Sequence, residues 1–418
     1  MARAYHASVP GRTPLRDLHL SLVRDEAERR RRAVAQAGRA PGAMAALPEL
    51  EWVPWGPAAP DGGPACELVA TYGAPEAEYA AIRRGAGVMD RPHRGTLLVT
   101  GAERVAFLQR MLTQDVAPLG RGPASCEAFR LNRKGRIEAD ILVIECGDRT
   151  LLDVDLHAAA PLAASLERSI FADDVQVADV TEAWCRIGVH GPAAAALLES
   201  SGIAGAVVAP EFAVLAGRIA GVEATCVRRD ECAAPGFELL LPAEGADAVF
   251  RALVAPQPAL AVRAIGWLAY NTARIEGGTP LFQVDFGPDS LPHETSLLGR
   301  RVNFRKGCYL GQEVVARMES LGKPKQVVAA IRMREDLLPV AGTQLFETGA
   351  EGSIGPPAGV VTSSAPSPML GGACIGFATV RTAHATPGAT LITTAEGTRG
   401  TAEVQPSLRF LPAVGAPS

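Results

Sequence analysis

The stretch Phe304–Met318, FRKGCYLGQEVVARM, decides how the rest of the chain is read. Gly307 and Gly311 bracket a lone cysteine, Cys308. Arg305 and Lys306 precede it, and the run from Gln312 to Met318 mixes apolar and polar residues. A turn feeding a short helix is the predicted local structure. Cationic neighbours and a helix N-terminus both favour a thiolate over a thiol, so Cys308 has a physical reason to be more reactive than the other cysteines. It equally fits a plain core thiol, because an unpaired cysteine commonly packs as a small buried hydrophobe. Local spacing leaves both readings open. The two glycines would let the backbone turn tightly enough to present the thiol.

Working outward, the 418 residues are 48% hydrophobic and 21% charged, which predicts a soluble globular protein of two to three domains with a substantial core. A net charge of −4 gives no basic footprint for nucleic acid, so no direct nucleic-acid binding is expected. No apolar run is long enough to span a bilayer, and charges stand where a signal peptide would need its apolar segment. The eight cysteines are scattered and none forms a CxxC pair. That favours a reducing, cytoplasmic setting and argues against a closed metal site built from local cysteine spacing, so no metal is expected.

Residues 1–64 read as an N-terminal extension, partly flexible. Within it Leu15–Gln36 is helix-like, with a basic run at Arg29–Arg32 that suits either a solvated face or an RNA or protein contact. Ala40–Pro64 is rich in Ala, Pro and Gly. The body, 65–325, opens with a helix-forming stretch, Pro75–Arg84. A β-type run at Thr96–Thr100, a turn at Gly101 and helical spacing over Glu103–Leu112 follow. A related unit returns at Ile187–His190, Gly191-Pro192 and Ala193–Leu198, with Gly101 and Gly191 lying 90 residues apart. This spacing predicts a duplication and two similar α+β lobes.

Between those units, Glu127–Ile144 alternates as two antiparallel strands joined at Arg133-Lys134-Gly135. Asp140 sits there among apolar neighbours, where a carboxylate must find either a structural partner or a ligand. Phe237–Leu241 is a short apolar strand interrupted by Glu238. Ile265–Glu276 reads as a helix ending at Gly277-Gly278, with Arg274 and Glu276 near its end, suited to a polar ligand or to structural pairing. From 326 to 418, strand-like pieces at Gln326–Met333, Gly359–Ser363, Gly376–Val380 and Thr390–Thr393 predict a compact C-terminal β-barrel domain.

The ordered set Gly85–Asp90, Val99-Thr100-Gly101, Asn132–Ile137, His190-Gly191-Pro192, Gly236-Phe237-Glu238 and Arg274–Leu281 resembles the GcvT-like folate-binding superfamily. Within it, Lys306–Glu313 is similar to the KGCYxGQE signature of the YgfZ branch. The resemblance covers the chain from about Cys66 onward. It implies an α+β fold of two similar ferredoxin-like lobes plus a C-terminal β-barrel, in a cloverleaf around a central folate cavity. Tetrahydrofolate or a one-carbon derivative is the implied cofactor. Glu238 stands at the position resembling the pterin-binding glutamate, where a carboxylate can accept adjacent pterin N–H donors. Arg274, with Arg300, Arg301 and Arg305 as company, is the candidate cation for the anionic folate tail.

The YgfZ branch is associated with assembly or repair of iron–sulfur clusters in other enzymes, including radical enzymes that modify tRNA. The resemblance therefore implies folate plus iron–sulfur client enzymes or assembly factors as partners. On that expectation Cys308 is the reactive thiol, with Lys306 and Arg305 tuning it. The alternative is a folate-dependent aminomethyltransferase or methyltransferase of the glycine-cleavage type, with Asp140 as its acid–base group. Two departures weigh on the alternative: Ala139 leaves one carboxylate where that branch keeps a pair, and Tyr270 stands where it usually has an arginine. A fold relative that has lost folate and serves only as a scaffold is a third reading.

Overall fold

The computed structural model describes residues 13–36, 49–58, 66–257, 259–349, 352–395 and 397–412. Much of the Ala40–Pro64 stretch lies outside them. The chain begins with a helix, α1 (Arg16–Gln36), then a strand pair, β1 (Glu51–Pro54) and β2 (Glu67–Thr71), and next α2 (Pro75–Arg84) and β3 (Ala86–Asp90). Lobe one follows as β4 (Arg94–Thr100), α3 (Arg104–Met111), β5 (Ala124–Leu131), β6 (Ile137–Glu145), β7 (Thr150–Asp155), α4 (Leu156–Glu167) and β8 (Gln176–Asp179). Lobe two repeats that order as β9 (Trp184–His190), α5 (Ala194–Ser201), β10 (Val214–Ile219), β11 (Val222–Arg228), β12 (Gly236–Pro242), α6 (Ala246–Val254) and β13 (Val262–Ala264). The two predicted turns are real in both lobes, with Gly101 at φ +104° and Gly191 at φ +128°, a conformation that favours glycine.

The sheets match strand for strand, apart from one insertion. Lobe one is ordered β5-β6-β7-β4-β8 and lobe two β10-β11-β12-β9-β3-β13. Thus β3, which precedes lobe one in sequence, is built into lobe two, antiparallel to β9 and parallel to β13. Period-two alternation gives each sheet an apolar face under its helices, such as Leu97, Ile141 and Leu152 in lobe one and Ile187, Phe237 and Leu239 in lobe two. Their other faces meet. Leu142, Ile144 and Leu151 of lobe one pack with Val227 and Leu240 of lobe two.

Then come α7 (Trp267–Glu276), α8 (Leu298–Arg301) and α9 (Gln312–Leu321). The C-terminal strands β14 (Gln326–Met333), β15 (Gln344–Thr348), β16 (Ile354–Ser367), β17 (Ala373–Arg381), β18 (Thr390–Ala395) and β19 (Thr398–Val404) close a six-stranded barrel in the order β14-β17-β16-β15-β18-β19. The mixed α+β architecture with its closed barrel is the one expected. Two strands, β15 and β19, were not anticipated, being short and rich in Thr, Glu and Gly.

Part of the expected extension is packed on the body. Leu15 and Leu18, at the start of α1, are buried in the lobe-two core. His19 Nε2 lies 2.9 Å from Asp90 Oδ2, its Nδ1 lies 2.8 Å from the Tyr72 hydroxyl, and Thr13 donates to the same Asp90 oxygen. Among the described residues no helix is long and apolar enough to cross a membrane.

Candidate functional site

Where the helix-free faces of the two lobes meet, charges of alternating sign form one continuous chain. It starts at Asp140 on β6, whose Oδ1 accepts from Arg301 Nε of α8 at 2.7 Å. Arg301 also donates to Glu127 of β5, which accepts from Arg229 Nε at 2.9 Å and Arg300 Nε at 3.1 Å. Arg229 Nη1 lies 2.8 Å from Glu231, and Glu231 accepts from Arg91 Nη1 at 2.8 Å and from the Tyr270 hydroxyl at 2.8 Å. Arg91 then donates to Glu238 on β12. A second crossing joins Asp153 of β7 to Arg94 at 3.0 Å and to Arg186 of β9 at 3.1 Å.

Burial and pairing split the acids into two kinds. Burial raises the pKa of Glu127, but the guanidiniums of Arg301, Arg229 and Arg300 outweigh it and bring it down to about 2. Asp153 is likewise brought down to about 2, with Arg186 and Arg94 overcoming its burial. Glu231, held by Arg229 and Arg91, lies well below the ordinary carboxylate range despite burial. Glu238 differs. Burial dominates and the charges of Glu231 and Asp153 add to it, so that Arg91 and the more weakly acting Arg229 still leave it pushed up to about 7. Beside it, burial and then Arg91 hold His190 down to about 4.

The expected site residues fall into separate places. Asp140 and Glu238 stand at the two ends of the ion-pair chain. The neighbour of Asp140, Ala139, points to the opposite face of β6 and is fully buried in the lobe-one core. An acid at 139 would therefore be on the helix side, and its absence leaves the face carrying Asp140 unchanged. Arg274 is fully buried, with Nη1 2.5 Å from Asp285 Oδ2 and Nε 3.0 Å from Asn271 Oδ1. Asp285 in turn accepts from Thr362 and Ser363 of β16, so that pair ties α7 to the barrel. Glu276 accepts from Tyr79, Arg83 and Ser367. Arg300 and Arg301, expected as company for an anionic tail, are engaged by Glu127 and Asp140.

Cys308 is exposed, in the loop ahead of α9, and takes no part in the buried chain of charges. Arg305 is exposed as well. Lys306 points elsewhere: its three ammonium donors go to the carbonyls of Gln109, Leu112 and Gln114 at 2.5, 2.6 and 3.0 Å, and burial brings its pKa down to about 8. It holds the end of α3 rather than paired charge. Gly311 adopts φ +82°, and a Cβ there would meet the Asn132 carbonyl at 2.6 Å, so this glycine seats the loop on the lobe-one hairpin.

Arg91, Arg229, Glu231 and His190 were not named from the sequence as site residues. Arg91 left a weak signal, a charge just past the end of β3, and His190 lay in the quoted motif His190-Gly191-Pro192 without being given a role. The others depend on which strands become neighbours.

The chain belongs to the family of the GCVT N-terminal domain, whose model matches residues 67–306. It is 32% identical over 322 residues to an aminomethyltransferase of Streptomyces avermitilis, covering 76% of this chain and 84% of that protein. An aminomethyltransferase of Rubrobacter xylanophilus is 30% identical, covering 75% and 81%. In fold it is similar to the crystal structure of glycine cleavage system aminomethyltransferase T from Bartonella henselae, with TM-score 0.78 at 23% identity over 97% of this chain and 99% of that one.

These relatives overturn the expectation of a YgfZ-like iron–sulfur maintenance factor with iron–sulfur clients. The expectation rested on an eight-residue loop motif. The likeness to aminomethyltransferases runs through both lobes, and Cys308, its intended centre, stands apart from the buried charges. The alternative weighed beside it, a folate-dependent aminomethyltransferase, is the better supported reading.

Proposed function

We propose that the protein is a tetrahydrofolate-dependent one-carbon transferase of the aminomethyltransferase type. Tetrahydrofolate is the one-carbon acceptor of the family to which the chain belongs. What carries the reading to this chain is the likeness to aminomethyltransferases over three-quarters of its length, joined to one observation at the site. Glu238 Oε2 is buried without a hydrogen-bond partner, although Oε1 is taken by Arg91. A buried acceptor left open is costly unless a ligand donor fills it, and a pterin N–H is such a donor. The residues therefore fit the group.

Glu238 would accept from the pterin, and Asp140 would hold the proton at the folate nitrogen that receives the carbon. Arg301 fixes the orientation of Asp140 through two nitrogens, at 2.7 and 3.3 Å. Folate brings the nucleophilic nitrogen; the chain's own contribution is orientation, proton handling and exclusion of water. Arg305, exposed and unpaired by any described carboxylate, is the proposed cation for the folate tail, and Arg274 keeps its structural bond to Asp285.

The test pairs calorimetric titration with tetrahydrofolate and glycine-dependent loading of tetrahydrofolate, reconstituted with the other glycine cleavage components. Asp140→Asn should bind folate within about threefold of the parent while transfer falls about 10²–10⁴-fold. Absence of saturable folate binding by the parent protein would defeat the proposal.

A further inference from the structure

Unpartnered buried atoms gather beside Glu238. Besides its Oε2, both nitrogens of His190 and Nε of Arg91 lack a hydrogen-bond partner among the described residues. Each such group is costly to bury without a partner, so a cluster of them in one place calls for an occupant.

The backbone makes room for the imidazole. In the register of β9 with β12, His190 lies opposite Gly236 and Gly188 opposite Glu238, so all four share the helix-free face. A Cβ at Gly188 would stand 2.7 Å from His190 Nε2, and one at Gly236 would stand 3.0 Å from Nδ1. The ring therefore lies across two glycines, with the Tyr270 ring 5.4 Å from it at 40°. Buried beside Arg91, it is neutral, with one N–H donor and one lone pair.

Ligand atoms of His190, Glu231 and Glu238 all lie within 4.8 Å of one another, a spacing a metal ion could use. The charge balance argues otherwise. Arg91 donates to both carboxylates and Arg229 pairs with Glu231, so a dication would enter a cluster already neutralised by guanidinium groups. A neutral ring edge that offers an N–H next to a carbonyl suits an open carboxylate oxygen next to a neutral imidazole.

We propose that His190 determines pterin specificity: its N–H donates to the ring carbonyl oxygen adjacent to the N–H that Glu238 accepts, so that the two residues together read the lactam edge. This rests on the folate reading above and deepens it. A site built to bond a particular polar edge rejects the analogue that reverses it, because a donor then faces a donor.

The experiment is calorimetric titration with tetrahydrofolate and with its 4-amino counterpart, in which that carbonyl becomes an amino donor and the adjacent ring nitrogen loses the hydrogen that Glu238 accepts. The parent protein should prefer the 4-oxo ligand by about tenfold or more. His190→Ala should bind tetrahydrofolate about tenfold more weakly and narrow the preference to the part that Glu238 supplies, and His190→Gln, whose amide keeps an N–H, should recover most of both. Thermal midpoints of each variant, compared with the parent, separate lost recognition from lost folding. A parent that binds folate without preferring the 4-oxo form, or a folded His190→Ala that retains affinity and preference, overturns the role of His190 and leaves the folate reading standing. No folate binding by the parent defeats both. Stoichiometric zinc in the purified parent, absent from His190→Ala, would overturn the proposal in favour of a metal site.

Discussion

Lobe one and lobe two are built in the same order, yet only lobe two carries a foreign strand. In lobe one the last strand, β8, pairs directly with the first, β4, and the sheet is complete within Arg94–Asp179. In lobe two, β3 lies between the corresponding pair and delivers Arg91 at its end, against Glu231 and Glu238. The insertion adds a guanidinium to a helix-free face that already carries Arg186, His190 and Glu238 on the lobe's own strands. The corresponding face of lobe one answers it mainly with Glu127, Asp140 and Asp153. The two lobes thus share one strand order, and the inserted strand adds Arg91 to only one of them.

The largest effect should come from removing the borrowed charge. Arg91→Met strands Glu238 in a buried setting, leaves Glu231 with Arg229 alone of its two guanidiniums, and should cost about 3–5 kcal/mol of unfolding free energy in chemical denaturation. The lobe-one counterpart for comparison, Arg94→Met, leaves Asp153 still paired with Arg186 and should cost only about 1–2 kcal/mol. Equal losses would erase the distinction between the lobes.

A smaller effect is expected where the loop around Cys308 rests on lobe one. Gly311→Val forces a β-branched residue into a left-handed conformation against the Asn132 carbonyl and should cost about 1–3 kcal/mol. Gly307→Ala meets no atom within 4 Å and should be near neutral, within about 0.5 kcal/mol. A Gly311→Val protein as stable as the parent would remove the hairpin's role in seating that loop.

The remaining comparison is of pH dependence, measured as unfolding free energy from pH 7 to 2. His190 has a folded pKa of about 4 against an ordinary 6.5, so stability from its neutral form is full above 6.5 and is lost as pH falls toward 4. Glu238 runs the other way: with a folded value of about 7 against 4.5, its penalty is absent below 4.5 and grows as pH rises to 7. In lobe one, Glu127 at about 2 loses its stabilisation only as pH falls from 4.5 toward 2. His190→Gln should therefore flatten the fall between pH 6.5 and 4, Glu238→Gln the opposing slope between 4.5 and 7, and Glu127→Gln should act on the acid limb alone. A changed slope of stability against pH above pH 5 in Glu127→Gln would contradict the assignment.

Features set by neighbouring residues were legible in the chain. Alternation and Gly135 announced the β5–β6 hairpin, helical spacing announced α3 and α7, and the matched glycines 101 and 191 announced the repeat. Features set by distant pairing were not. Nothing local in Ala86–Asp90 says that it will pair with β9 and β13 rather than with the lobe that follows it. The same limit governed the site. Asp140 and Glu238 could be singled out as acids in apolar strands, but their partners, Arg301 and Arg91, come from 161 and 147 residues away. Arg274 looked free for a ligand, and Lys306 free to tune Cys308, because the atoms that engage them cannot be read from their neighbours in sequence.

The displaced strand also sets a schedule for assembly. A chain emerging from its N-terminus can complete the sheet of lobe one as soon as Asp179 is available, since every strand of it is contiguous. The docked start of α1 and the whole of β3 must wait for β9, and the edge of their sheet closes only with Val262–Ala264. Residues made ahead of lobe one are thus among the last to find their partners, because β3 pairs only with strands that come after that lobe. The polar cluster around Glu238 can form only after that wait ends, so the site is a late product of folding even though its guanidinium is among the first side chains synthesised.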